Sequence, residues 1–499
     1  MSIDSPLSRK SIELNPRQQI QLKANGNLSV AYPPPHSFPA LENMLSSPAD
    51  LERCVLLASD ASNPQVQQQA NNELLHFMSN PNPGAMVDVL LSLLTTTKSE
   101  QVIFFVLTGF QSVETTVEQR QALRFQLIQG ISSSHIIACW NPTYVRTKVG
   151  VMLSKIILKD FPDSWPTAFQ ELQDLAMIET SADMFLRVLR ALMEDLDSRQ
   201  DEKTTQIKDI LRGLDRPSGS VRPQDTLSAK LLDTVIRLLG LSLQSPTTEK
   251  SQVIGLLCLN VIKGFNSWLD LTVLLQERLL SLVYRALAIG STTDSPNDDF
   301  GIAALEALQG LFSRGMEDEK RMAMLAETQV LSKIRESVNL QQVDASPIDV
   351  VLAVATFVNR IGLEVFPLVM NSQDQKCIYL FTNILELLFC CYSFDDIDVS
   401  GAVVPLAGSL VQVGTNTDIL KRLMLVTFQQ MRYPDDFQFD FEDDMDSEEE
   451  MYRTELRKVN QKLVRAVPEL SLSFAKEALG KLSLPLSSAP FPDIEVSIR

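Results

Sequence analysis

The sequence predicts an all-α fold in which helical hairpins stack into a superhelix. Three observations carry this. Glycine is scarce, 19 in 499 residues, which is roughly half its usual share, and a chain rich in β-hairpins would need more of it for turns. Apolar residues recur at helical spacing: Val145, Val149, Met152 and Ile156 draw one stripe, and Phe185, Val188, Leu192 and Leu196 draw another. Short breakers separate such stretches, as at Asn80-Pro81-Asn82-Pro83-Gly84, Phe161-Pro162-Asp163, Ser245-Pro246 and Ser295-Pro296-Asn297. Helices of about 12–20 residues joined by short turns then number roughly twenty, or about ten hairpins of ~40–45 residues, the HEAT-like period. Each hairpin buries its stripe against its neighbours, so added length extends one solenoid instead of adding globular domains.

Read in order, the chain begins differently. Residues 1–50 hold seven of the 25 prolines, including Pro33-Pro34-Pro35. Such text cannot continue a helix and offers little for a core, so 1–40 is expected to be a disordered extension. The solenoid is expected over 41–499. Arg212 to Asp225 interrupts it with Gly, Pro and Ser and carries Arg212, Arg216 and Arg222. Residues 435–450 interrupt it again, with ten carboxylates in 16 residues and three phenylalanines, Phe437, Phe439 and Phe441. Self-repulsion keeps such a block solvated as an acidic loop.

Composition excludes several classes. Sixty-two carboxylates against 44 Lys plus Arg give a net charge of −18, which argues against coating nucleic acid by bulk charge. The stretch nearest to a membrane span, Cys377 to Tyr392, is broken by Thr382, Asn383 and Glu386. No apolar signal core opens the chain. Cysteines at 54, 139, 258, 377, 390 and 391 form no CxxC pair and read as buried thiols. His36, His76 and His135 have no ligand spacing, Gly480-Lys481 is not a P-loop, and no GxGxxG follows a strand. No catalytic, metal or cofactor constellation stands out, so the chain does not read as an enzyme. Trp165 and Trp268 read as packing residues. Arg146 and Lys148, two apart, point about 200° apart around a helix and cannot both face one ligand.

Some blocks carry a resemblance. Asn141-Pro142, Val145-Arg146-Thr147-Lys148, an apolar helix and then Phe161-Pro162-Asp163-Ser164-Trp165-Pro166 resemble the exportin-1/importin-β-like repeat of karyopherin-β export receptors, expected here over about 95–250. Phe185-Leu186-Arg187-Val188-Leu189, Ile207-Lys208-Asp209-Ile210-Leu211-Arg212, Ser267-Trp268-Leu269-Asp270-Leu271 and Gly315-Met316 with Lys320 are similar, in order, to blocks of the exportin-T family of tRNA exportins. The acidic run between Tyr433 and Tyr452-Arg453, then Leu456-Arg457-Lys458, resembles that family's acidic insertion. Thr147 stands where many members have Asn.

The resemblance implies a nuclear export receptor that takes up tRNA with Ran in its GTP form. It would pass the pore by contacts with nuclear pore proteins and shuttle between nucleus and cytoplasm. Release would follow GTP hydrolysis. It places Ran contacts at Arg146 and Lys148 and at acidic residues Glu442, Asp443, Asp444, Glu448, Glu449 and Glu450. The window Arg187 to Arg222 holds eight basic residues against seven carboxylates in a chain where acids lead. Lys203, Lys208, Arg212, Arg216 and Arg222 are therefore the candidate tRNA contacts. A karyopherin for another cargo and a cytosolic HEAT scaffold without Ran dependence are the competing readings.

Overall fold

A computed structural model describes residues 47–79, 83–133, 138–215, 222–292, 298–340, 345–369, 374–412, 416–433, 447–482 and 490–498. The expected disordered segment 1–40 and residues 435–446 of the acidic run lie outside them. The described residues are helices and turns with no strand.

The chain runs through α1 (Pro48–Ser59), α2 (Pro64–Met78), α3 (Pro83–Thr96), α4 (Glu100–Ser112), α5 (Val117–Ser132), α6 (Thr143–Asp160), α7 (Ala168–Met177) and α8 (Ala182–Ser198). A shorter helix, α9 (Glu202–Arg212), leads to α10 (Leu227–Ser242), α11 (Glu249–Phe265), α12 (Leu271–Leu274), α13 (Glu277–Gly290), α14 (Asp298–Phe312), α15 (Asp318–Thr328) and α16 (Val330–Ser337). Then come α17 (Ile348–Val369), α18 (Gln375–Tyr392), α19 (Ile397–Ala402), α20 (Val404–Gln412), α21 (Thr417–Met431), α22 (Ser447–Ala466), α23 (Pro468–Gly480) and α24 (Phe491–Ile498).

Local chemistry sets the boundaries. The side chains of Ser47, Asn63, Ser99, Thr116, Asp201, Thr226 and Thr248 each accept a backbone N–H of the helix that follows. Each satisfies an orphan donor of a helix N-terminus, so a turn of few residues starts a new helix cleanly. Helix α9 stops at Arg212 because Gly213 takes a left-handed φ of 72°, and Leu214 N–H then closes on Asp209 O at 2.8 Å.

The helices form two layers. In the first, α1, α4, α6, α8, α11, α14, α17, α20 and α22 pack on one another in succession; in the second, α7, α10, α13, α16, α18 and α21 do so less intimately. Glycines explain the closeness of the first layer. A methyl group on Gly264 of α11 would sit 2.7 Å from Met193 Cβ of α8, and one on Gly362 of α17 would sit 2.3 Å from Leu406 Cδ2 of α20. No side chain fits there, so the bare backbone lets each helix lie against the next.

Apolar stripes fill the space between layers, as the spacing predicts. Val145, Val149, Met152 and Ile156, and Phe185, Val188, Leu192 and Leu196, are all buried, as are Trp165 and Trp268. Five cysteines are buried and Cys390 is partly so. Polar bridges also recur with the repeat: Thr97 to Glu52, Arg187 to Thr147, Asn266 to Ala307 O, Lys263 to Glu306, Arg285 to Leu243 O and Arg314 to Leu269 O span 40 to 45 residues. That separation is the HEAT-like period seen in the sequence.

One expectation is corrected. The segment nearest to a membrane span is α17, Ile348–Val369, a 22-residue helix, and not Cys377 to Tyr392. Asp349, Arg360 and Glu364 hide its apolar length from a reading by unbroken runs. It lies in the first layer, more than half buried by its neighbours.

Candidate functional site

Helix α6 is the centre of the site, because two neighbours of the first layer and α9 all pack on it. Its two sequence-predicted residues go opposite ways. Arg146 turns to α8, where Nε donates to Asp183 Oδ2 at 2.8 Å and Nη2 donates to Asp183 Oδ1 and, at 3.0 Å, to Thr180 O. Lys148 turns to α4, where Nζ donates to Gln111 Oε1 at 2.7 Å and lies 5.2 Å from the Phe104 ring centroid. The 100° step per residue allows nothing else for two positions on a sandwiched helix. Arg146 is buried, and Arg187 donates to the same Asp183 at 3.1 Å and to Thr147 Oγ1 at 2.6 Å. Two guanidinium groups thus clasp one carboxylate across the α6–α8 seam.

Past this seam α6 changes character. Lys148, Lys155 and Lys159 fall at i, i+7 and i+11 on one face. Lys155 and Lys159 have no hydrogen-bond or ion-pair partner among the described residues. They line a groove of about 1100 Å³ between α4, the start of α5, α6 and the start of α9. Arg120 from α5, Arg199 at the end of α8 and Lys203 of α9 complete a set of five cations, against Asp201 and Glu202 in the same lining. Arg120 is held by Asp160 at 2.6 Å, Arg199 by Asp195 at 3.1 Å and Lys203 by Asp163 at 2.8 Å. Asp201 is occupied in capping α9, and its bond from Thr204 N–H holds its carboxyl below the usual range. Burial, and then the charge of Lys155, push the ammonium of Lys148 below its ordinary value.

The remaining predicted contacts are placed as follows. Arg212 Nε donates to Trp268 O at 2.8 Å. Lys208 is half-buried and Arg222 exposed, while Arg216 lies outside the described residues. Of the acidic set, Glu442, Asp443 and Asp444 lie outside them too, and Glu448 is the second residue of α22. Glu449 pairs with Arg453 at 2.8 Å and Glu450 with Arg457 at 2.9 Å, both on α22 itself.

Three of the sequence blocks meet at one junction. Arg212, closing the first, bonds the Trp268 carbonyl in the second, and Arg314, just before the third, bonds the Leu269 carbonyl. Burial and the nearby Arg212 push the Arg314 guanidinium below its usual value. The Thr272 hydroxyl, with Lys320 and Arg314 further off, holds Asp270 low. These blocks join consecutive repeats.

Sequence reasoning missed Arg120, Lys155 and Lys159. The i, i+7 spacing of Lys148 and Lys155 was the signal available; α9 folding back over α6 was not legible. Among the described residues no group of three His, Cys, Asp or Glu side chains is placed to hold a metal ion.

Comparison with known proteins adds a likeness in sequence. The family described as exportin 1-like protein matches residues 142–308, which begins just before α6 and ends within α14. The segment starts and ends later than the expected 95–250. The fold is an all-α solenoid, and over that segment the chain is similar to the exportin 1-like family. Along most of its length it is similar to exportin-T. Human exportin-T is 18% identical over 403 residues, 77% of this chain and 40% of that protein. Exportin-T of Danio rerio is 19% identical over 78% of this chain and 40% of its own length. That of Dictyostelium discoideum is 21% identical over 66% of this chain and 30% of its own length. The chain therefore spans about two fifths of the vertebrate relatives that it matches.

Proposed function

We propose that this chain acts as a karyopherin-type nuclear export receptor, binding tRNA together with Ran-GTP and crossing the nuclear pore by contacts with pore proteins. It would shuttle between nucleus and cytoplasm and catalyse no reaction itself. The observation that carries the reading is the similarity to exportin-T along 77% of the chain, with the exportin 1-like segment taking in the α6, α8 and α9 side of the groove. tRNA is a folded, largely A-form polyanion, read by shape and phosphate more than by sequence. In an acidic chain such contacts must come from a local concentration of cations. Lys203, Lys208 and Arg222 are the members of the predicted set best placed to meet RNA. Arg146 and Arg212 hold repeats together, so their effect on either ligand would be through curvature. Lys148 and the acidic segment ending at Glu450 remain the proposed Ran contacts; the carboxylates would steer a basic partner and act mainly on its association rate.

A solenoid is suited to coupled uptake, since small changes at each hairpin interface sum along the stack. Two ligands that favour one curvature raise each other's affinity reciprocally. The test is retention of Ran by the immobilised chain, with Ran locked in the GTP or GDP form and with or without tRNA. Retention of the GTP form alone, increased by tRNA, is expected. Equal retention of both forms would make the chain a scaffold. GTP-selective retention indifferent to tRNA would assign another cargo.

A further inference from the structure

The groove beside α6 asks for a specific kind of occupant. Its five cations come from four different elements, α5, α6, the end of α8 and α9, and converge on one volume. A solvated charged face would spread its charges along one helix. Three of the five are already paired, Arg120 with Asp160, Arg199 with Asp195 and Lys203 with Asp163, and Asp201 is engaged in capping α9, so the charge open to a ligand is that of Lys155 and Lys159. Two ammonium groups one helical turn apart repel one another, and a multivalent anion relieves that repulsion. Lys155 and Lys159, which lack partners among the described residues, are lysines and not arginines. An ammonium acts as a compact point charge with three donors and is a frequent phosphate ligand, as a guanidinium also is. Of the apolar side chains of the lining, Phe110, Leu123, Met152, Ile156 and Leu158 are buried in the core and Val113 is partly exposed, so the groove offers a peptide little apolar anchorage.

We infer that this groove is a binding site for closely spaced phosphates, with Lys155 and Lys159 as its free ligands and Arg120, Arg199 and Lys203 as its rim. The shared chemistry is a run of phosphates, whether along an RNA backbone or in a small soluble polyphosphate. The inference goes beyond the export reading and does not require it, because its first test contains no RNA.

The probe is inorganic tripolyphosphate, added to the full chain at ionic strength matched with sodium chloride, with thermal midpoint and calorimetric affinity as readouts. The parent is expected to gain stability, and K155Q/K159Q is expected to bind about tenfold more weakly or worse, having lost two charge-assisted contacts. K155R/K159R should retain binding, and an unchanged midpoint of unliganded K155Q/K159Q shows that it is folded. No gain over sodium chloride, or an equal gain in K155Q/K159Q, would overturn the inference. tRNA then distinguishes the sources. If RNA phosphates occupy the groove, tRNA displaces tripolyphosphate from the parent, and the salt slope of tRNA binding falls by roughly 0.7–0.9 per lysine removed. If tRNA binds the parent without displacing tripolyphosphate, the site serves a small polyphosphate. If K155Q/K159Q loses only Ran-GTP retention and the parent ignores tripolyphosphate, the groove is a protein contact and the inference fails, whatever becomes of tRNA.

Discussion

Arg146 near the start of α6 and Lys155 and Lys159 near its end carry the same charge on the same helix, yet they differ in what surrounds them. Arg146 is buried against Asp183, with Arg187 on the other side of that carboxylate. The lysines open on a groove and have no partner among the described residues. A basic residue in an acidic solenoid can thus join two repeats or stay open to the groove. Asp183 of α8 faces Arg146, whereas Asp195 of α8, at the level of the lysines, is taken by Ser154 and Arg199.

The largest effect should come from breaking the clasp. Arg146→Ala leaves Asp183 with Arg187 alone in a mostly buried seam, and loss of hydrogen bonds to a charged group costs about 1.5–3 kcal/mol. Chemical denaturation should show this loss, and a change near zero would mean that the seam is held by its apolar contacts alone. Next is Gly264→Ala, whose methyl would meet Met193 Cβ at 2.7 Å. Overpacking of this kind costs about 1–3 kcal/mol. An unaltered thermal midpoint would show that α8 and α11 can move apart freely, against a layer set by close approach.

On the groove side the expected stability effects are small. Lys155→Gln and Lys159→Gln remove groove charges without a partner, so each should change stability by no more than about 0.5 kcal/mol. A large loss would place them with Arg146 as structural residues and erase the contrast. Smaller still is the effect at Lys148, whose ammonium is held below its ordinary value by burial and by Lys155. A lysine depressed in the folded state disfavours folding while both states are charged. That penalty fades as pH rises through the folded value toward the ordinary lysine value. Lys148→Met should therefore raise the midpoint slightly at neutral pH, and the gain should shrink on approach to that range. A gain that grows with pH would mean that the bond to Gln111 and the Phe104 ring outweigh the burial.

The repeat architecture was legible because it is written in short-range signals. Apolar spacing such as Val145 to Ile156, capping residues such as Thr116 and Asp201, and breakers such as Ser245-Pro246 each act within a few residues. The opposite headings of Arg146 and Lys148 also follow from helix geometry alone. The groove was not legible, because Arg120, Lys159 and Lys203 are brought together only when α9 folds over α6. Charge counted along the chain singled out Arg187 to Arg222, yet Arg187, Arg190, Arg199 and Lys203 each have a carboxylate partner and Arg212 bonds a backbone carbonyl. Three of those pairs, Arg187–Asp183, Arg190–Glu194 and Arg199–Asp195, lie at i,i+4 and could have been read from the helix spacing, whereas Asp163 and Trp268 lie 40 and 56 residues from Lys203 and Arg212, and sequence proximity gives no view of them.

The central claim is that one curved stack takes up two ligands together. The direct measurement is the affinity of the chain for Ran-GTP with and without saturating tRNA, and for tRNA with and without saturating Ran-GTP. The account predicts that each ligand tightens the other by the same factor, within the roughly 5–150-fold typical of such coupling. Equal affinities in the presence and absence of the second ligand would contradict it.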